Sequence, residues 1–149
     1  MTIADYWTHF RAIHPAVTTD TYEAFSLGAE GDVTTANHLV ALIKDGIKTA
    51  TSSARDLYGP DESLPQVGDY GIILDGHHQP VCVVETIAVT TVPFSQVTAE
   101  HAYHEGEGSR TLAEWRQVHQ AFFQAAYAAM GRPYDADCPC ICETYRVIN

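Results

Sequence analysis

"LPQVGDYGIILDGHHQPVCVVETIAVTTVPF", residues 64–94, decides the fold. Asp75-Gly76 sits between two β-rich runs and marks a hairpin. A further strand-like stretch, about residues 84–91, continues from it. Upstream the period is helical. "DVTTANHLVALIKDG" places Leu39, Leu42 and Ile43 on one face, with Asp32 or a threonine as cap and Gly46 as the left-handed stop. Residues 2–14 predict a shorter helix anchored by Tyr6, Trp7 and Phe10 and ended by Pro15.

Downstream, "TAEHAYHEGEGS" predicts a short helix broken by Gly106 and Gly108, and "TLAEWRQVHQAFFQAAYAAMG" a longer one. Thr111 with Glu114 forms a capping box there, and Leu112, Trp115, Val118 and Phe122 step along its expected buried face. "CICETYRVIN" predicts a terminal strand able to close a sheet. Helices mixed irregularly with hairpins indicate an α+β chain built on a small, mostly antiparallel barrel or curved sheet.

The 149 residues suit one domain, 1–149, with residues 1–21 as an N-terminal helical extension. Nothing in the sequence resembles a secretory signal or an apolar span, and three of the four cysteines crowd into "CPCIC". A cytoplasmic location with reduced thiols and no membrane partner is the expectation. The formal net charge is −11 with eight Lys and Arg, which disfavours tight binding of long nucleic acids. Oligomeric state is not legible.

Three stretches carry candidate chemistry. In "GIKTATSS" (46–53), Lys48 stands among Thr49, Thr51, Ser52 and Ser53. Lys48 is either a solvated residue past a helix end or the cation of a pocket walled by small hydroxyls. A straight strand puts Lys48 with Ala50 and Ser52, whereas convergence of Lys48 with Thr51 needs a turn or bulge. In "HAYHEGEG", Glu105 and Glu107 are flanked by glycines, and His101 and His104 lie one turn apart without a convincing third ligand, so no metal is expected. Glu85, amid apolar neighbours, either faces water or meets Lys48 or Arg116 in a cavity. Cys138, Cys140 and Cys142 share one strand face as small buried hydrophobes.

Together "LIKDGIKTATSS", the 64–94 stretch, "AEHAYHEGEGSRTLAEWRQVHQAFF" and "CETYRV" resemble the ASCH family, in particular its larger bacterial members, from about residue 22 onward. The resemblance implies a PUA-like β-barrel with flanking helices. It also implies one of three activities: RNA binding, amide hydrolysis of acetylated cytidine, or RNA cleavage. In the amidohydrolase branch the working groups are a K-x-x-T lysine and threonine and a later glutamate, filled here by Lys48, Thr51 and Glu105. The arginine that the short amidohydrolases carry after that threonine is replaced by serines. A modified nucleoside or short RNA is the expected ligand, without a cofactor. Lys48 would act as base, Thr51 or a water as nucleophile, and Glu105 would orient the lysine or deliver a proton to the leaving amine. Backbone amides or Ser52 and Ser53 would stabilise the oxyanion, and Tyr58 or Trp115 would stack on the base, with Trp115 otherwise core.

Overall fold

The computed structural model describes all 149 residues. Helix α1 (Ile3–Ile13) opens the chain, and Thr2 and Asp5 cap it reciprocally. Strand β1 (Glu23–Phe25), helix α2 (Val33–Lys44) and strand β2 (Ala50–Ala54) follow. Strands β3 (Tyr70–Leu74) and β4 (Pro80–Pro93) form the hairpin. Its loop is fixed by the Asp75 carboxylate, which accepts from the amides of His77 and Gln79. Helices α3 (Ala99–Glu105) and α4 (Leu112–Ala129) precede the last strand, β5 (Pro139–Ile148).

The five strands form one curled sheet, a half-barrel, in the order β1-β3-β4-β5-β2. Only β1–β3 is parallel, so the mostly antiparallel expectation holds. The three-residue β1 is too short to show a period, and the sequence did not signal it. The stretch that continues the hairpin is not separate: β4 runs unbroken for 14 residues. A bulge at Ile87 shifts its register against β5, from Thr86↔Tyr145 to Ala88↔Thr144. Such a bulge bends a strand and raises its twist, which lets one long β4 serve both ends of a curled sheet.

Three apolar clusters cover the sheet. Trp7, Phe10 and Val17 pack with Ile72, Leu74 and Val83, so residues 1–21 cover the β3–β4 surface. Val40 and Ile43 of α2 pack on Ile73, Val84 and Tyr145. The largest cluster sets Trp115, Phe123 and Tyr127 of α4 against Phe94 and Cys138, Cys140 and Cys142. The buried face of α4 therefore differs from the expected one. Trp115, Phe123 and Tyr127 are inside, whereas Val118 and Phe122 are about half exposed. Helical period alone fits either stripe, and Trp115 fixes the choice by docking beside Phe94. The Thr111–Glu114 box also forms only in part. Thr111 accepts from the Glu114 amide, but the Glu114 carboxylate bonds the Ser109 amide.

Helix α3 ends on Gly106 at φ 70°. A Cβ there would stand 2.6 Å from the Ile47 carbonyl oxygen and 3.0 Å from the Lys48 nitrogen. This close approach, together with the Thr49 amide donating to the His104 carbonyl at 2.8 Å, seats the end of α3 on the Lys48 segment. Gly106→Ala is expected to cost about 1–3 kcal/mol through backbone strain, with a lowered urea midpoint as the readout.

Candidate functional site

Lys48 lies in the short connection between α2 and β2, and its side chain runs inward rather than into solvent. It is 2% exposed. Its Nζ donates to Glu107 Oε2 at 2.8 Å, the Ala50 carbonyl at 2.9 Å, Glu105 Oε1 at 3.2 Å and the Glu105 carbonyl at 3.4 Å. An ammonium has three N–H bonds, so four acceptors occupy them all. In this arrangement Lys48 offers no lone pair for use as a base. It is a buried, fully engaged cation.

Glu105, the last residue of α3, is its counterpart at 1% exposure. Oε2 accepts from Ser52 Oγ at 2.6 Å and Trp115 Nε1 at 2.5 Å, and lies 3.2 Å from His101 Nε2. Oε1 takes Lys48 and lies 3.4 Å from His119 Nε2. Burial alone would raise the carboxyl, but hydrogen bonds from His101 and His119 and the Lys48 charge outweigh it. Glu105 is thereby held far below the usual carboxylate range. Glu107 differs: its side chain is 33% exposed, and only Oε2 is engaged by Lys48.

Strand β2 is straight in register, from Ala50↔Thr144 to Ala54↔Cys140. Successive side chains alternate, so Ser52 shares the Lys48 side while Thr51 and Ser53 face the other way. Thr51 pairs opposite Glu143 and reaches neither Lys48 nor Glu105. The hydroxyl brought to the cluster is that of Ser52. Ser53 accepts from the Tyr58 hydroxyl at 3.0 Å on the opposite face, so these two also stand apart from Lys48.

Glu85 meets Arg146, its cross-strand neighbour, through Nε at 3.0 Å and Nη2 at 2.7 Å, and neither Lys48 nor Arg116. The register explains this, since the two residues sit opposite each other. Arg116 is committed to three backbone carbonyls, those of Phe94, Ser95 and Val97, and closes the turn after β4. Of the nine candidate residues, the structure thus gathers Lys48, Glu105, Glu107 and Ser52.

His101, His119 and Trp115 complete the cluster. Trp115 is both core and ligand to Glu105, and His119 stacks on it at 4.2 Å between ring centroids. Their sequence signal was a tryptophan followed one turn later by a histidine on one helical face. The donor atoms of Glu105, Glu107 and His119 lie within 4.8 Å of one another, and the Lys48 ammonium already fills the cation position among the carboxylates.

Two cavities border the cluster. One, about 380 Å³, is lined by Lys48, Thr49, Tyr145 and Arg146 among others. The Tyr145 hydroxyl is itself buried without a partner, and burial drives its ionisation well above the ordinary phenol range, so it stays a hydroxyl. The other, about 350 Å³, is lined by Ala50, Thr90, Thr98, His101, Cys142 and Thr144 among others. Burial pulls His101 down, but the nearby Cys142 sulfur and the Glu105 carboxylate prevail and push it up to about 9.

A curled five-stranded half-barrel with helices packed on it, and a buried charge cluster where α3 meets β2, defines a PUA-like α+β protein. The sequence profile of the ASCH domain matches residues 23–149, and the chain belongs to that family. ASCH domains are often proposed to bind RNA. The ASCH domain from Lactobacillus crispatus JV V101 superposes with a TM-score of 0.84 at 26% identity, covering 96% of this chain and 94% of that one. A protein from Enterococcus faecalis V583 gives 0.86 at 30% identity, covering 97% and 90%. A search of curated proteins gives no match. No helix is long and apolar enough to cross a membrane.

Proposed function

We propose that the chain is a hydrolase of a small modified nucleoside, acting on an exocyclic amide of the kind found in N4-acetylcytidine. The observation that carries this reading is the buried Lys48 ammonium bridging Glu105 and Glu107. Burying a charge cluster costs several kcal/mol per ion, and perturbed ionisable groups of this kind concentrate at functional sites. A cavity of about 380 Å³ beside it falls within the size range of small-molecule sites.

In this reading the substrate carbonyl oxygen displaces the weakest Lys48 acceptor, the Glu105 carbonyl at 3.4 Å. The ammonium then stabilises the oxyanion as it forms. Water is the nucleophile, because Thr51 faces away. Glu107, with one free oxygen, takes the water proton as the C–O bond forms. It returns that proton to the exocyclic nitrogen as the C–N bond breaks, releasing acetate and the free amine. Glu105 is too strongly held as an anion to shuttle protons, so it orients Lys48.

An RNA-binding role is less well supported. Three of the eight cationic side chains are neutralised by carboxylates, Arg11, Lys48 and Arg146, and Arg116 is committed to backbone carbonyls. Few cations are left for phosphates, in a chain of net charge −11.

The test is release of cytidine from N4-acetylcytidine by the purified protein. Wild type is expected to turn over, and Glu107→Gln to lose about 100-fold or more in kcat, the usual scale of general acid–base catalysis. An inert wild type across a panel of acylated nucleosides overturns the reading.

A further inference from the structure

We propose that Arg110 is the positioning residue for Glu107: it latches the 106–110 loop onto the Lys48 segment, and release of that latch admits a ligand to the buried ammonium. The consequence for turnover rests on the hydrolase reading, whereas the latch itself does not. Lys48 is 2% exposed. Of the residues that accept from its Nζ, Ala50 and Glu105 are buried, and Glu107 alone is open to solvent, with a side chain 33% exposed. A carbonyl oxygen approaching the ammonium therefore arrives past Glu107, and whatever holds Glu107 controls access.

Glu107 stands in a loop of unusual backbone. Gly106, Gly108 and Arg110 have φ of 70°, 58° and 62°. Glycine takes that conformation freely, but a residue such as arginine stays there only where its surroundings over-determine it. The Arg110 surroundings do so. Its amide donates to the Glu107 carbonyl at 3.1 Å, which closes the turn that carries the carboxylate. Its Nε donates to the Tyr103 carbonyl at 2.9 Å and its Nη2 to the Ile47 carbonyl at 3.5 Å. The guanidinium lies over the Tyr103 ring, 3.7 Å from the centroid.

One side chain thus joins the loop, the last turn of α3 and the residue before Lys48. On the other side the Ser109 amide donates to Glu114 Oε2 at 2.6 Å, tying the loop to α4. Arg110 is only half-buried and Tyr103 is 51% exposed. A cation–π contact in that setting is weak, so the clamp holds the loop without locking it.

The test compares wild type with Arg110→Asn by hydrogen exchange of the Lys48 ammonium in ¹⁵N NMR, by urea midpoint and by kinetics on N4-acetylcytidine. Asparagine tolerates the left-handed backbone, so the variant keeps the turn while losing the guanidinium. Lys48 exchange is expected to speed about 10-fold or more, the scale of a lost hydrogen bond from a charged group, while the urea midpoint stays near that of wild type. The kcat is expected to fall about 10- to 100-fold with KM changed less than about threefold, because Glu107 is misplaced rather than removed. Tyr103→Leu, which takes away the ring under the guanidinium, is expected to speed exchange in the same direction. Unchanged exchange in Arg110→Asn overturns the latch, as does faster exchange that only follows a lowered urea midpoint. Faster exchange with an unchanged kcat overturns the positioning role. A wild type inert toward every acylated nucleoside, with exchange still faster in Arg110→Asn, removes the hydrolase reading and supports the latch.

Discussion

Lys48→Met is expected to lower the unfolding free energy by about 3–5 kcal/mol, the cost of breaking a buried ion pair from one side. Methionine keeps most of the stem volume, so the loss isolates the charge. It leaves Glu105 facing His101, His119, Ser52 and Trp115 without its ammonium, and leaves Glu107 Oε2 unpaired. Urea denaturation reads the change. Glu105→Gln alone is also destabilising, since its amide would meet donors from Ser52 and Trp115. The double variant is expected to be more stable than the sum of the two losses, with a coupling of about 1–3 kcal/mol. Strict additivity would mean that the two groups do not sense each other.

The same carboxylate gives the second large effect, on pH dependence. The folded-state pKa of Glu105 is depressed, so its stabilisation is fully present above the unfolded value. It is lost as pH falls toward the folded one. The window therefore opens below about pH 4.3, the ordinary glutamate value. In that window wild type binds one fewer proton than its unfolded chain at this position. The stability gap between wild type and Glu105→Gln should then narrow by about 1.4 kcal/mol per pH unit. Other carboxylates titrate in both proteins and cancel in the difference. Urea midpoints measured from pH 7 down to pH 3 check this, and a constant gap would place the Glu105 charge outside the folding balance.

Much of the architecture was legible because it rests on local signals. Asp75-Gly76, the capping residues Asp32 and Thr111, and the glycines at 46 and 106 punctuate the chain where the elements end. Elements without a local signal were missed, such as the parallel strand β1, or misjudged, such as the buried stripe of α4. That stripe depends on which aromatic meets Phe94, a tertiary matter.

The site divides along the same line. Lys48 and Glu105 could be singled out because a charge among small or glycine-flanked neighbours is unusual. The resemblance then named Thr51, but strand alternation settles that the neighbouring hydroxyl, Ser52, faces the cluster. Glu85 and Arg146 find each other only through the β4–β5 register. The histidines were visible as residues but not as partners of Glu105, because His119 arrives from a helix that the sequence could not orient.

The protonation and burial of Lys48 underlie both the stability effects and the proposed oxyanion role. The chain has two lysines, Lys44 and Lys48, so ¹⁵N NMR of lysine side chains is free of overlap. Near neutral pH, one slowly exchanging ammonium signal is expected, absent from Lys48→Met, while exposed Lys44 exchanges too fast to appear. A spectrum in which both ammonium groups exchange with water equally fast would contradict the sealed cluster.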